Sequence, residues 1–314
     1  MTDAADRILA GDTRLAARLM RALDDGVPRA YEILGRLYDR TGGTRRIGIT
    51  GHPGVGKSTL TDRLVTAYRA AGKRVGVVAI DPSSPYTGGA ILGDRVRMQK
   101  HAGDEGVFIR SLATRGALGG LSAGARDTVY VMEAMGFDII LVETVGVGQD
   151  EVDVANLVES SVVVTVPGLG DSVQAIKAGI LEIADIFVVN KADHPDADRA
   201  ANHLHLILDL EGGERHGRPV PVLKTIAQTG KGIDALCDAL TSHEEHLATT
   251  PEGARRAQRR SEVALLERVE LLLRAKARAA VAAHGGIHEV VNAIQDKTLD
   301  PYRAARQVVD AIES

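Results

Sequence analysis

Residues 51–58 of this chain read Gly51-His52-Pro53-Gly54-Val55-Gly56-Lys57-Ser58. The preceding residues, 45–50, are suited to a strand, and apolar residues recur at helical spacing from 58 to 71. The segment is therefore predicted to join a β-strand to an α-helix, which is the setting of a phosphate-binding P-loop. In that setting, backbone N–H groups and the positive end of the helix converge on the β- and γ-phosphate oxygens.

The loop is expected to make three kinds of contact with a nucleotide. Lys57 adds a mobile positive charge, and the Ser58 hydroxyl is placed to bind Mg²⁺. His52 is expected mainly to shape the loop. The predicted phosphate-binding residues are Gly51, His52, Pro53, Gly54, Val55, Gly56, Lys57, Ser58 and Thr59.

A second motif, Asn190-Lys191-Ala192-Asp193, follows a predicted strand at 186–189. Such a strand delivers polar residues to the carboxyl edge of a parallel sheet, where open α/β folds bind ligands. The Asp193 carboxylate can accept hydrogen bonds from N1–H and the exocyclic amine of guanine, whereas adenine offers no matching pair of donors. The motif therefore predicts a base pocket that prefers GTP and GDP to ATP.

Lys191 and the loop that follows a later predicted strand are expected to complete the base pocket. Lys191 is predicted to lay its aliphatic stem along the base. After a predicted strand at 220–223, backbone N–H groups are expected to close the pocket. Those groups belong to Ile226, Ala227 and Gln228.

The composition excludes several classes of protein. A net charge of −4 and a pI near 6.2 give no reason to expect nucleic-acid binding, and no apolar run is long enough to cross a bilayer. The first 25 residues contain five aspartates and no apolar segment of the signal-peptide type, so a cytoplasmic protein is expected. The single cysteine, Cys237, excludes an internal disulfide and any Cys-x-x-Cys metal site, and is expected to be buried in a helix over 233–240.

The order of patterns along the chain predicts an α/β fold. β-Branched runs at 75–80, 139–143, 161–166, 186–189 and 220–223 alternate with helical patterns, which indicates a P-loop NTPase fold whose mostly parallel sheet is covered by helices. Three parts are expected: an N-terminal helical arm over 1–44, a P-loop GTPase domain over 45–250, and a C-terminal helical dimerisation extension over 251–314.

The extension carries an apolar stripe at helical spacing. Such a stripe could pack on the GTPase domain or on a second copy of the chain. The sequence does not distinguish between these two packing partners. The stripe consists of Val263, Leu266, Val269, Leu273 and Ala277.

Two carboxylates are candidate metal ligands. Asp81 and Glu143 each end a predicted strand next to the P-loop, so both are within reach of a bound metal. Glu143-Thr144-Val145-Gly146 stands where regulatory GTPases usually have Asp-x-x-Gly, whose glycine N–H contacts the γ-phosphate. Glutamate in place of aspartate points to the branch of P-loop GTPases that includes nickel and cobalamin chaperones. Nucleotide-dependent dimers are common in that branch.

Three segments closely resemble the MeaB family, also labelled ArgK-like or, in humans, MMAA. The segments are Asp81-Pro82-Ser83-Ser84-Pro85-Tyr86-Thr87-Gly88-Gly89-Ala90-Ile91-Leu92-Gly93-Asp94-Arg95, Glu143-Thr144-Val145-Gly146-Val147-Gly148-Gln149 and Pro167-Gly168-Leu169-Gly170-Asp171-Ser172-Val173-Gln174-Ala175-Ile176-Lys177. The resemblance covers nearly the whole chain. It implies a homodimeric GTPase that binds methylmalonyl-CoA mutase, gates adenosylcobalamin loading, and protects or reactivates the mutase.

The resemblance also implies roles for single residues. Ser58, Asp81, Asp94 and Glu143 would surround Mg²⁺ directly or through water, and residues 94–98, 143–150 and 171–177 would form three switches. Each of these residues also has a purely structural explanation. Asp81 could begin a turn, Asp94 could lie in a surface loop, and Lys177 could lie on an exposed face of a helix.

Hydrolysis is expected to use an in-line water, with Lys57, Mg²⁺ and loop amides stabilising the transferring phosphoryl group. The candidate catalytic residues are Lys57, Asp81, Glu143 and Lys177. Because no glutamine directly follows Gly146, slow intrinsic turnover is expected, with acceleration when a partner reorders Lys177 and Gln174 or the Asp81 loop.

Three alternatives stay open from the sequence. A transport-system kinase would need a site for an acceptor group beside the γ-phosphate. A nickel-delivery GTPase generally carries Cys or His clusters, whereas the close pairs here are His203 with His205 and His243 with His246, on stretches that look solvated. A GTPase of the same family serving another cobalamin-dependent acyl-CoA mutase is the third.

Overall fold

The computed structural model describes residues 3–81, 99–101, 103–113, 123–144, 153–168, 178–210, 212–215, 217–283 and 287–313. The chain forms two compact units, Met1–Gln258 and Arg259–Ser314. No helix in the described ranges is both long enough and apolar enough to cross a membrane.

The first unit is built around a parallel sheet of seven strands. Its order is β3-β2-β4-β1-β5-β6-β9, and every pairing in it is parallel. A short antiparallel hairpin, β7 with β8, stands apart from this sheet. The strands are β1 Arg45–Thr50, β2 Val75–Asp81, β3 Val107–Ala113, β4 Ile139–Thr144, β5 Ser160–Thr165, β6 Ile186–Val189, β7 Glu214–Arg215, β8 Arg218–Pro219 and β9 Val222–Lys224.

Eleven α-helices are formed by the described residues. They are α1 Ala4–Leu9, α2 Thr13–Asp24, α3 Pro28–Tyr38, α4 Lys57–Ala70, α5 Ala123–Ala134, α6 Ala178–Ile183, α7 Ala197–Leu210, α8 Ile233–Thr249, α9 Pro251–Ala283, α10 Ile287–Gln295 and α11 Pro301–Glu313. In the second unit, α10 and α11 contact one another.

Helices cover both faces of the sheet, because its central strands are apolar on both sides. β4 and β5 are buried along their whole length. On one face α4 and α8 pack against the sheet through residues such as Leu64 and Leu236. On the other face α5 and the three N-terminal helices share a second core that includes Met20 and Met132. The predicted α/β fold with a helix-covered parallel sheet is confirmed.

Local boundaries differ from the sequence interpretation where the pattern was weak. β3 was not predicted: it is an edge strand whose first five residues are only half-buried, so Val107–Ala113 lacks a continuous apolar run. β9 runs Val222–Lys224 and so begins two residues later than expected. The helix expected to end near 240 continues to Thr249.

A buried polar network ties the amino edge of the sheet to α8 and α9. Asp185, directly before β6, accepts hydrogen bonds from the Ser161 N–H and from Arg256 Nη2, both at 2.8 Å. His243 Nε2 lies 3.4 Å from the same carboxylate, and its Nδ1 lies 2.7 Å from Ser160 Oγ. His243 is therefore buried in this network, and the expectation that it lies on a solvated stretch is wrong.

The charges in this network set the protonation of its carboxylate. Burial by itself would raise the pKa of Asp185, but hydrogen bonds and charge from His243 and Arg256 outweigh burial and lower the pKa to about 2. Asp185 is therefore ionised at neutral pH and holds α8 and the start of α9 against β5 and β6.

Replacing the Asp185 carboxylate is expected to change how the free energy of unfolding depends on pH. Asp185→Asn should lower the free energy of unfolding at neutral pH by about 2 kcal/mol or more, because the folded pKa lies about two units below its unfolded value. The wild-type advantage should be complete above about pH 4 and shrink as the pH falls towards 2. Urea unfolding across a pH series measures this difference.

The matched control is Asp209→Asn, at an exposed position on α7, which should leave the unfolding free energy unchanged. A difference between wild type and Asp185→Asn that stays constant from neutral to acid pH would show that the carboxylate charge is not what stabilises the network.

Candidate functional site

The P-loop connects the carboxyl end of β1 to α4, and two of its glycines are required by close approach. Gly51 has φ +136°, and a Cβ there would lie 2.1 Å from the Val164 carbonyl oxygen. Gly56 has φ +95°, and a Cβ there would lie 2.5 Å from the side-chain nitrogen of Asn190. Any larger residue at either position would therefore displace β5 or Asn190.

Lys57 begins α4 and folds back over the loop. Its Nζ donates hydrogen bonds to the carbonyl oxygens of Gly51, at 2.7 Å, and His52, at 3.1 Å. The residue is only 6% exposed. A buried ammonium group at the start of the helix, beside the backbone of this loop, is a strong candidate for binding an anionic group.

Next to Lys57, two hydroxyls hold the Glu143 carboxylate at the end of β4. Ser58 Oγ donates to Oε1 at 2.6 Å, and Thr61 Oγ1 donates to Oε2 at 2.8 Å. Glu143 is buried. The serine hydroxyl and the carboxylate are hard oxygen donors of the type that Mg²⁺ prefers, so the donor chemistry of this pair fits that ion.

Thr61 was missed by the sequence interpretation. It follows Ser58 by three residues on α4, so helical spacing alone places both hydroxyls on one face of the helix. This spacing could have identified Thr61 as a second hydroxyl on the face of Ser58. The sequence does not show that Glu143 contacts that face.

The other candidate metal ligands and switches are only partly described. β2 ends at Asp81, and Ile80 pairs with Thr144 of β4, so the backbone of Asp81 reaches the same edge of the sheet as Glu143. Asp94 and Lys177 lie outside the described residues, as do the candidate switch residues 94–98, 145–150 and 171–177.

Asn190 joins the two sequence motifs. Its side-chain NH₂ donates to the Val55 carbonyl oxygen at 2.8 Å, across 135 residues of sequence. Its side-chain oxygen accepts from Thr225 Oγ1 at 3.1 Å and from the Ala227 N–H at 3.0 Å. Since Asn190 is buried, these hydrogen bonds fix the P-loop and the loop after β9 to one another.

The two residues expected to face the base lie beside this buried amide. Lys191 adopts a left-handed backbone conformation with φ 56°, and its ammonium group donates to the Gly54 carbonyl oxygen at 3.1 Å. Asp193 lies in the turn that follows and is exposed. The Lys191 side chain thus reaches the P-loop, and Asp193 follows it two residues later.

The loop from 225 to 231 is closed by hydrogen bonds from both sides. Ile226 N–H donates to the Lys231 carbonyl oxygen at 2.9 Å. On α4, the Arg63 guanidinium donates to the carbonyl oxygens of Ala227, at 2.8 Å, and Gln228. Sequence reasoning missed Arg63, and no local pattern marks a contact that spans 164 residues.

No group of three or more His, Cys, Asp or Glu side chains in the part of the chain that the structure describes is arranged to hold a metal ion. His203 and His205 are both exposed on α7.

The strand order, the P-loop and the Asn-Lys-x-Asp turn at one sheet edge define a P-loop protein of the GTPase class. The family model described as methylmalonyl Co-A mutase-associated GTPase MeaB matches residues 16–283. The chain belongs to this MeaB family, as the resemblance of its motifs implied.

Individual relatives agree with this assignment. The chain is 46% identical over 310 residues to a putative GTPase of Pyrococcus abyssi, covering 98% of this chain and 95% of that protein. It is 33% identical over 324 residues to GTPase ArgK of Escherichia coli, covering 100% and 97%. A crystal structure of a LAO/AO transport system kinase matches with a TM-score of 0.70 at 27% identity, covering 99% of this chain and 97% of the other.

Removing the amide of Asn190 is expected to loosen both loops. Asn190→Ala should lower the free energy of unfolding by about 2–4 kcal/mol, because the Val55 carbonyl and the Ala227 N–H are left buried without partners. Chemical unfolding measures this loss. Asn202→Ala, at an exposed position on α7, is the matched control and should change stability by less than about 0.5 kcal/mol. Equal effects of the two substitutions would contradict the bridging role of Asn190.

Proposed function

We propose that this protein binds and hydrolyses GTP as a chaperone of methylmalonyl-CoA mutase, gating adenosylcobalamin loading and protecting or reactivating the mutase. The Asn190 bridge carries the nucleotide part of this proposal, because it assembles a phosphate loop and a base loop into one site. The partner part is supported by the family, whose description names association with this mutase.

The base is proposed to bind between the turn after β6 and the loop after β9. Asp193 is exposed and so has its carboxylate oxygens available for N1–H and the exocyclic amine of guanine. Lys191 covers the base with its aliphatic stem while its ammonium group stays near Gly54. The Ala227 N–H donates to Asn190 and the Ile226 N–H donates to the Lys231 carbonyl oxygen, so both groups position the loop. The N–H of Gln228 is therefore proposed to face the base.

The phosphates are proposed to bind in the P-loop, from Gly51 to Thr59. Lys57 would exchange its two carbonyl acceptors for oxygens of the β- and γ-phosphates, which are better acceptors because they are charged. The N-terminus of α4 adds its positive end to the same place. These groups stabilise the charge that builds up on the transferring phosphoryl group.

A Mg²⁺ ion is proposed at the edge formed by β2, β4 and α4, held by Ser58, Asp81, Asp94 and Glu143 directly or through water. When bound, the ion neutralises charge on the phosphates. The chain's own part is to orient the ligands. Thr61 holds one oxygen of Glu143, which keeps the other directed at Ser58.

In the hydrolysis step, an in-line water attacks the γ-phosphorus and the bond to the β–γ bridging oxygen breaks, giving GDP and phosphate. No glutamine directly follows Gly146 to orient that water, so intrinsic turnover is expected to be slow. Partner binding is proposed to raise turnover by reordering the segment that contains Lys177.

A homodimer formed through the C-terminal extension is part of the proposal. α9 exposes a row of large apolar side chains at helical spacing, which supports docking of a second copy of the chain. Leu266, for example, is 61% exposed. The row consists of Leu265, Leu266, Val269, Leu272 and Leu273.

The function is tested by GTP turnover with and without the mutase. Saturating mutase should raise the turnover rate about tenfold or more, equal to about 1.4 kcal/mol of barrier, and should co-purify with the protein. Lys57→Ala should show no turnover under either condition, which controls for contaminating GTPases. Unchanged turnover together with no association would contradict the proposed client and leave the GTPase assignment standing.

The dimer is tested by sedimentation of two charged variants. Leu266→Glu combined with Leu273→Glu should convert a dimer into a monomer, because two carboxylates would be buried at the interface without partners. Leu206→Glu, at an exposed leucine of α7, is the matched control and should remain dimeric. A wild-type protein that sediments as a monomer with GTP or GDP would contradict this part of the proposal.

A further inference from the structure

Arg63 on α4 holds the loop after β9 by two backbone carbonyl groups. Its Nε donates a hydrogen bond to the Ala227 carbonyl oxygen at 2.8 Å, and its Nη2 donates to the Gln228 carbonyl oxygen. Both nitrogens belong to one planar guanidinium, so the two hydrogen bonds fix the direction of two successive carbonyl groups as well as their position. Because α4 begins at the P-loop, the helix that starts at the phosphate loop also holds the loop after β9.

Ala227 is held at both of its backbone polar groups. Its N–H donates to the Asn190 side-chain oxygen at 3.0 Å, and its carbonyl oxygen accepts from Arg63. The residue is 2% exposed, so either group would be costly to leave without a partner. Asn190 contacts the peptide group before Ala227 in sequence, and Arg63 contacts the peptide group after it. The second of these peptide groups is therefore oriented by Arg63.

The direction of the Gln228 N–H follows from the planarity of that second peptide group. The peptide bond between Ala227 and Gln228 is trans, and in a trans peptide the C=O and the N–H point in opposite directions. Since the Ala227 carbonyl is turned towards the Arg63 guanidinium, the Gln228 N–H is turned away from it. Within the described ranges this N–H donates to no other group, and Gln228 is exposed. It is therefore a donor of fixed direction that is available to a ligand.

A donor of fixed direction distinguishes guanine from adenine by the group at C6 of the base. Guanine carries an oxygen there, which accepts a hydrogen bond, whereas adenine carries an amino group, which donates. Bound adenine would leave the Gln228 N–H facing another donor. If the peptide group flipped, the Ala227 carbonyl would face the base instead and could accept from the adenine amino group. Selectivity at C6 therefore requires that this peptide group does not flip.

We propose that Arg63 is a positioning residue for base selectivity. By holding the carbonyl oxygens of Ala227 and Gln228, it prevents the peptide group between them from flipping and keeps the Gln228 N–H directed at the C6 oxygen of guanine. This inference rests on the proposed guanine site, and Arg63 acts through the loop, not by contact with the nucleotide. Asp193 is proposed to bind other groups of the base, N1–H and the exocyclic amine, so the two contributions can be measured separately.

The test compares the dissociation constants of three nucleotides, measured by calorimetry. In 6-thio-GDP, sulfur replaces the C6 oxygen and is a weaker acceptor, while N1–H and the exocyclic amine remain. Inosine diphosphate keeps the C6 oxygen and lacks the exocyclic amine. The wild-type protein should bind GDP about fivefold or more tightly than 6-thio-GDP, because the hydrogen bond from Gln228 is weakened in the analogue.

Two variants of Arg63 separate orientation from charge. Arg63→Ala should reduce the preference for GDP over 6-thio-GDP to less than about twofold, and should leave the preference for GDP over inosine diphosphate unchanged within about twofold. Arg63→Lys keeps the positive charge but lacks the planar fork that holds two carbonyls, so it should not restore the wild-type preference. Each preference is a ratio measured on one preparation, so partial unfolding of a variant does not alter it.

Arg69→Ala is the matched control. Arg69 lies on the same helix and also uses two guanidinium nitrogens, which donate to the Asp104 carboxylate, both at 2.8 Å. Because it holds no residue of the loop after β9, its loss should leave both preferences at their wild-type values. The inference is overturned if Arg63→Ala retains the wild-type preference for GDP over 6-thio-GDP, if Arg63→Lys restores it in full, or if Arg69→Ala lowers it equally.

Failure of the guanine site itself would look different. A wild-type protein that binds GDP and ADP with equal affinity would contradict that site, and this inference with it. A wild-type preference for GDP over ADP that persists in full in Arg63→Ala would overturn the role of Arg63 alone and leave the guanine site standing.

Discussion

The hydrogen bonds of the Asn190 side chain are the interaction on which the nucleotide edge of this protein depends. One amide group supplies a donor to the P-loop and an acceptor to the loop after β9, so two segments far apart in sequence are held at a fixed separation. The cost of leaving any of these buried groups without a partner makes the arrangement specific. Gly56 is the counterpart of this bridge, because a side chain there would displace the Asn190 amide.

At the same edge of the sheet, charged side chains lie next to the P-loop backbone, whose N–H groups can bind an anion. Lys57 is buried at the start of α4, and the Glu143 carboxylate is held by two hydroxyls one strand away. A cation for phosphate oxygens and an oxygen cluster that fits Mg²⁺ thus lie side by side. The opposite edge has a separate polar network around Asp185, which stabilises the packing of α8 and α9 and takes no part in the proposed chemistry.

Much of this architecture could be predicted from the sequence because its strongest signals are local. The apolar runs of β4 and β6 and the glycines around Lys57 each identify an element without reference to the rest of the chain. β3 could not be predicted, since an edge strand needs only partial burial. The partners of His243 and Arg63 could not be predicted either, because their contacts join residues 58 to 165 positions apart.

The two loops joined by Asn190 are proposed to form a site that is selective for guanine nucleotides. The most direct test is calorimetric measurement of the dissociation constants of GDP and ADP for the wild-type protein under identical conditions. Tighter binding of GDP by more than about 100-fold is expected, because the site is built to hydrogen-bond groups that adenine lacks. Equal affinities for GDP and ADP would contradict the account.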